Sequence, residues 1–501
     1  MKRLFNPRPI LYVALSHMAG VLFAAYFPTL GAWALIIPSA VVFAVSSLVF
    51  AFYKNARLLT LITALLCIVF ALVGGFSLKV KTDGVISRAE ERDAGRYVIS
   101  GTVDYVGYSN GLYNVRISDC VIDGSPVGNA SVYGLEKSVE VYDRIELDCN
   151  LSPAGADVNG RYSSVVLNGS SLVSHKVYSV KFTGVKVCAG QIFKQFTDDK
   201  FASLSRENRA TASALLRGDV SALAQKADVF RSAGIAHVFA VSGLHVGLLY
   251  AVLSLIFNKI PVNRTIKAVV ISCLLFSYSL VCGFTASSLR AAVTCTVFAL
   301  SKSIGEKRDS LNALSVAAVA VLLINPADLF GAGFVLSFAI SLSLITVATA
   351  VARFTKIKSP ELAGSISVIA AAQTVTIPLC VTYFGSFPLI SLISNFLFVP
   401  VVTACYYAVV LGIAFSCIIP PFIALYPADV LLGGTEFFIS RLARVNLNIT
   451  VFPWWLAVVY FVALAACSDL FNLNKKIKIS AATVVAAALI AITFASYYNF
   501  V

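Results

Sequence analysis

Long apolar stretches joined by short charged connections make up most of this chain, with one break of about a hundred residues in which the hydrophobic period changes. Three apolar stretches come first, near 10–28, 31–53 and 58–79, each long enough to cross about 30 Å of hydrocarbon as a helix. From about 80 to 190 polar and apolar residues alternate, and Gly, Asn, Asp and Ser recur every few positions. The runs RYVISGTVDYVGY, LYNVRISDCVID, ASVYGL, DRIELDCNL, YSSVVLNG and LVSHKVYSVKFTG read as strands, with turns at Ser109-Asn110-Gly111 and Asp123-Gly124. Five or six short strands suit a small barrel of the OB type, a sandwich being the other arrangement with that count. Between 188 and 232, Phe193, Phe196, Phe201, Leu204, Leu215 and Leu216 alternate with charged residues at helical spacing. That pattern predicts amphipathic helices, either lying along the membrane surface or packed on the bundle. Apolar spans then resume, and Pro427 and Gly433-Gly434 break the segment after Pro420-Pro421.

The expected fold is mainly α: a polytopic helical membrane protein of about 10–12 spans with one small extracytoplasmic, OB-like β-barrel module. Its expected divisions are three transmembrane helices in 1–79, the β domain in 80–187, interfacial helices in 188–232 and a second transmembrane domain in 233–501, the one that the resemblance below implies is the channel.

Composition agrees with a membrane protein, since 58% of the 501 residues are hydrophobic and 13% charged. The mean hydropathy of +0.84 excludes an ordinary soluble domain. Lys2, Arg3, Arg8, Lys54 and Arg57 fall on one side of the spans, and the groups at 259–267, 302–308 and 353–358 return to it. Loops at Asn325–Asp328 and Phe384–Ser386 carry no Lys or Arg. By the positive-inside bias the N-terminus is cytoplasmic, the β module is extracytoplasmic, and the protein is multi-pass. The first stretch resembles a signal peptide but lacks a small-residue cleavage site, so it reads as a retained helix. The net charge of +14 is largely this orientation signal: residues 97–186 hold seven Lys or Arg and nine Asp or Glu, a net of −2. The module therefore shows no basic nucleic-acid surface by charge. Cys120 and Cys149 lie within it, and an oxidising compartment predicts a disulfide between them, the alternative being two buried thiols.

Polar groups at membrane depth mark candidate chemistry. The segment GIAHVFAVSGLHVG at 234–247 places His237, Ser242 and His245 where one helix would present them on a broad face. Gly234, Gly243 and Gly247 would allow kinks or close helix approach. A serine nucleophile with a histidine base is one reading, although no acidic partner is near. A metal site is a poor fit, because two histidines eight apart have no carboxylate or thiolate beside them. A polar lining for a permeation path is the third reading, and helix packing the plain one. Arg290, Gln373 and Asn395 favour the path, the last two preceding Pro378 and Pro400, which would interrupt their helices. No metal or cofactor is expected.

The run ALLRGDVSALAQKADVFRSAGIAHVFAVSGLHVGLL at 214–249 resembles the signature of the ComEC family of DNA-internalisation competence channels. GFTASSLRA at 283–291, LNALSVAAVAVLLINPADLFGAGFVLSFA at 311–339, AQTVTIPLCVTYFGSFPL at 372–389 and SNFLFVP at 394–400 follow in family-like order. The arrangement of three spans and a β module is also similar. The resemblance implies a channel, not an enzyme, that passes single-stranded DNA inward, with His237, Ser242, His245, Arg290, Gln373 and Asn395 along the path. It implies a DNA receptor and an ATPase of the competence machinery as partners, besides the lipid bilayer. Many family members carry a metallo-β-lactamase-like domain; this chain has four histidines and no HxHxDH cluster, so strand degradation is expected from a separate nuclease. It has no P-loop either, and an outside energy source must supply direction. An intramembrane hydrolase using Ser242 and His245, or a small-molecule or lipid transporter, is the alternative.

Overall fold

A computed structural model describes residues 9–27, 57–109, 111–155, 162–219, 223, 226–239, 243–354, 359–443, 448–450, 454–467, 477, 480–485 and 488. The expected second span and Ser242 lie outside the described residues.

Helix α1 (Pro9–Tyr26) packs along α2 (Arg57–Glu90) through small residues: a Cβ on Gly20 would lie 1.9 Å from the Ala71 carbonyl oxygen. Gly74 in turn lies against His17, whose Nδ1 is 2.8 Å from the Phe70 carbonyl oxygen. The third span does not stop near 79, because α2 continues as a polar helix for another eleven residues and carries the barrel on its end.

The module is a closed barrel of five strands, β1 (Gly95–Ser109), β2 (Leu112–Ile122), β3 (Ser125–Leu135), β4 (Asp143–Pro153) and β5 (Leu172–Val185), in the order β1-β2-β3-β5-β4. All pairings are antiparallel except β3 with β5. Period-two alternation sends Ile99, Val103, Ile117, Ile145, Leu147 and Leu151 into one apolar interior. Asp123 and Gly124, both at positive φ, form the tight turn between β2 and β3. One expected strand is instead a short helix, α3 (Ser164–Leu167), because the Ser163 hydroxyl caps it by accepting from the Val166 N–H at 3.4 Å.

The structure does not join Cys120 to Cys149. Both are buried free thiols among the apolar residues of the barrel, where each serves as a small core side chain. Burial pushes the Cys120 thiol up to about 12, so almost no reactive thiolate forms at neutral pH. Both are expected to resist maleimide in the folded protein and to label fully on unfolding, with or without reductant. Label that appears only after reduction would establish the bridge instead.

Helices α4 (Ala189–Phe201), α5 (Arg206–Arg217) and α6 (Ala227–Ser232) follow. Every residue of α5 from Thr211 to Arg217 is buried, so this helix is core and not interfacial. Leu215 and Leu216 pack with Phe398, Val402 and Val409, and the Leu216 carbonyl accepts from the Tyr278 hydroxyl at 2.8 Å. Buried Arg217 is held by Asp198, Thr197 and the Lys194 carbonyl.

The bundle comprises α7 (Ala236–Phe239), α8 (Gly243–Asn258), α9 (Arg264–Val281), α10 (Ala286–Ser303), α11 (Ser310–Ile324), α12 (Ala332–Phe354), α13 (Pro360–Phe384), α14 (Ser391–Phe415), α15 (Pro421–Ala424), α16 (Tyr426–Leu442) and α17 (Trp454–Cys467). Among the described residues six helices are long and apolar enough to cross a membrane, and α8 and α11 are shorter apolar helices. Helix α1 joins this bundle, since Ala14 packs with Leu289, Leu314, Val321 and Phe338.

Three expected interruptions are absent. Pro378 and Pro400 sit inside the continuous helices α13 and α14, and Gly433-Gly434 inside α16. Proline at 378 cannot donate to the Thr374 carbonyl, and the Tyr460 hydroxyl donates to that oxygen instead, at 2.6 Å. A neighbouring helix thus satisfies what the proline leaves free.

Candidate functional site

The 234–247 segment opens on a turn. Helix α6 ends in a Schellman turn, with the Ile235 N–H donating to the Phe230 carbonyl at 3.0 Å and the Gly234 N–H to the Arg231 carbonyl at 2.9 Å. Gly234 has φ +73°, and Phe230 and Ile235 close the turn inside the apolar cluster. Short α7 then carries His237 and α8 carries His245, with residues 240–242 between them outside the described residues. His237 is exposed. His245 is buried, with its ring 4.8 Å from that of Tyr406 on α14.

Arg290 is the centre of the arrangement. It enters from the first turns of α10, and its Nε donates to the Ser337 hydroxyl at 2.8 Å and its Nη1 to the Ser341 hydroxyl at 2.6 Å. Those serines are four apart on α12 and so share a face. Its Nη2 lies against Gly243, where a Cβ would be only 1.9 Å away. Gly243 is therefore the space that admits the guanidinium. Among the described residues no carboxylate pairs with Arg290, so a full positive charge stands among neutral hydroxyls inside an apolar bundle.

A second contact joins Gly234 to α14. The Ser391 hydroxyl is 3.4 Å from the Gly234 carbonyl oxygen and accepts from the Asn395 Nδ2 at 3.1 Å, while the buried Asn395 Oδ1 has no hydrogen-bond partner. Buried Gln373 on α13 likewise leaves its Oε1 unpartnered, and no described contact brings it to Arg290. Gly247 has open space where a Cβ would stand, so it marks no close helix approach. Among the described residues no group of three His, Cys, Asp or Glu could hold a metal.

Sequence reasoning missed Ser337, Ser341, Ser391 and Tyr406. The available signal was the pair of hydroxyls at i, i+4 in VLSFAIS, an otherwise apolar stretch.

The arrangement joins a permanent cation, hydroxyls and histidines along helices that hydrocarbon would otherwise surround. The Competence protein family model matches residues 215–496, which include all of these groups. ComE operon protein 3 of Bacillus subtilis (strain 168) is 33% identical over 177 residues, 35% of this chain and 22% of that protein. The similar segment thus spans about a fifth of that relative's length. No solved structure matches. With more than half its length matched, the chain belongs to the Competence protein family.

Proposed function

We propose that this protein is the channel through which a single strand of DNA crosses the cytoplasmic membrane in natural transformation. The observation that carries the reading is Arg290, a cation with no carboxylate partner among the described residues, held open between two serines and Gly243. A strand with one charge per phosphate cannot cross hydrocarbon and needs weak, repeated polar contacts. Arg290 supplies attraction, the serines and histidines supply hydrogen bonds, and the exposed His237 and the unpartnered amide oxygens of Gln373 and Asn395 extend the polar lining. Histidines are suited to this because they donate without a permanent charge that would trap the strand.

In this reading the N-terminus is cytoplasmic and the barrel, of OB type, sits on the outer face over the bundle. A DNA receptor and an ATPase of the competence machinery serve the channel. The β domain begins after α2, near residue 90, and the later divisions stand at about residues 187 and 232 of the sequence.

The test is uptake of labelled DNA by a deletion strain complemented with this gene: uptake should return, and failure to restore it with full membrane expression would overturn the reading. Ser242→Ala separates the alternative class. A channel retains partial uptake, whereas complete loss with intact expression would favour the hydrolase.

A further inference from the structure

A cavity of about 480 Å³ lies where the polar end of α2, the barrel and the turn after α11 meet. Lys81 and Arg88 of α2 and Arg116 of β2 line it. Asp104 is its one lining carboxylate, and Arg116 pairs with it at 3.0 Å. Lys81 Nζ donates to the Asn325 Oδ1 at 2.6 Å, which fixes it in the wall. Arg88 is exposed and makes no ion pair with any described residue. The lining carries a surplus of two positive charges, one of them offset by Asp328, which Asn325 holds near Lys81 and Arg116, and several amide groups; the remaining cation matches a phosphodiester anion.

We propose that this cavity holds the phosphate headgroup of an anionic membrane lipid. Val80 lines the cavity and ends a stripe of exposed apolar residues, Val69, Val73, Phe76 and Val80, spaced four, three and four apart on one face of α2. That stripe runs about 16 Å along the helix, close to the roughly 15 Å depth of one leaflet, so an acyl chain can lie along it while its phosphate enters the cavity. Among the described residues no aromatic side chain lines the cavity, and a nucleic-acid base would need one to stack on. The bound lipid would pin the barrel to the bundle through α2. This inference rests on the membrane-spanning character of α2 and not on the passage of DNA.

The experiment is native mass spectrometry of the delipidated, detergent-solubilised full chain, titrated with phosphatidylglycerol, with diacylglycerol of the same chains, or with a twelve-residue oligothymidylate. Phosphatidylglycerol should be retained and diacylglycerol should not. The double variant Lys81→Gln, Arg88→Gln should weaken phosphatidylglycerol by about tenfold or more. Arg88→Gln alone, at an exposed site that folding does not need, should weaken it severalfold, and the distant Lys302→Gln should leave it unchanged. Undiminished phosphatidylglycerol binding by Arg88→Gln and the double variant, or equal retention of diacylglycerol, overturns the proposal. So does oligothymidylate that displaces phosphatidylglycerol and loses its own binding in the double variant, which would assign the cavity to a nucleic-acid strand.

Discussion

Arg290→Glu is expected to lower uptake of labelled DNA by about a hundredfold or more while the protein still reaches the membrane. At 4 Å and an effective dielectric of about 20, unit charges interact by roughly 4 kcal/mol, and reversing the sign converts that attraction to a phosphate into an equal repulsion. A factor of one hundred requires only about 2.7 kcal/mol. Arg290→Gln removes the charge but can still bond to the hydroxyls of Ser337 and Ser341, so it measures how much of the loss is electrostatic. Arg290→Lys keeps charge without the fork that reaches both serines, and should fall between the wild type and Arg290→Gln. Gly243→Ala should partly copy these losses, since its methyl group would occupy the position of Nη2 and push the guanidinium from its serines. Membrane fractions probed for the protein control for expression. Wild-type uptake by Arg290→Glu would remove Arg290 from the path.

What could be read beforehand, and what could not, follows the range of the interactions. The apolar stretches and the period change at the β module are local, and both gave the correct class and five of the six strands. The family motifs are local as well, and the match at 215–496 bears out the family they indicated. Arg290 was legible because a charge in an apolar stretch needs an explanation wherever it stands. Its partners were not, since a serine in an apolar helix ordinarily bonds back to its own turn, as Ser341 does to the Ser337 carbonyl at 2.7 Å. Pro378 misled because the tyrosine that satisfies the freed carbonyl lies far along the chain, on α17. Glycine at 234 could be a packing or a kink residue by sequence, and only the approach of Ser391 and the positive φ show it ending one helix so that another can start.

That turn sets up the second large effect. Gly234→Ala is expected to destabilise the folded bundle by about 2–5 kcal/mol, a large share of the roughly 5–15 kcal/mol that holds a protein folded. Two causes contribute separately. An L-residue at φ +73° costs about 1–2 kcal/mol of backbone strain. The added methyl would stand 2.4 Å from the Ser391 Cβ and 2.8 Å from its Cα, and the fit of α14 against this turn must shift at a cost of about 1–3 kcal/mol. The second of these atoms belongs to the backbone, so no rotamer change of Ser391 can relieve the clash. Ser391→Gly in the same chain removes the nearer atom and should recover part of the steric share, while the backbone strain remains. Thermal unfolding in detergent of the two single variants and the double variant closes the cycle, and a coupling of about 1 kcal/mol or more is expected. Additive losses would mean that the approach of Ser391 does not constrain this turn. The turn leads into the helix that carries His237, so residual uptake in the variants should follow the recovered stability, with the double variant above Gly234→Ala. Uptake that stays lost in the double variant while stability returns would show that the glycine also serves the path directly.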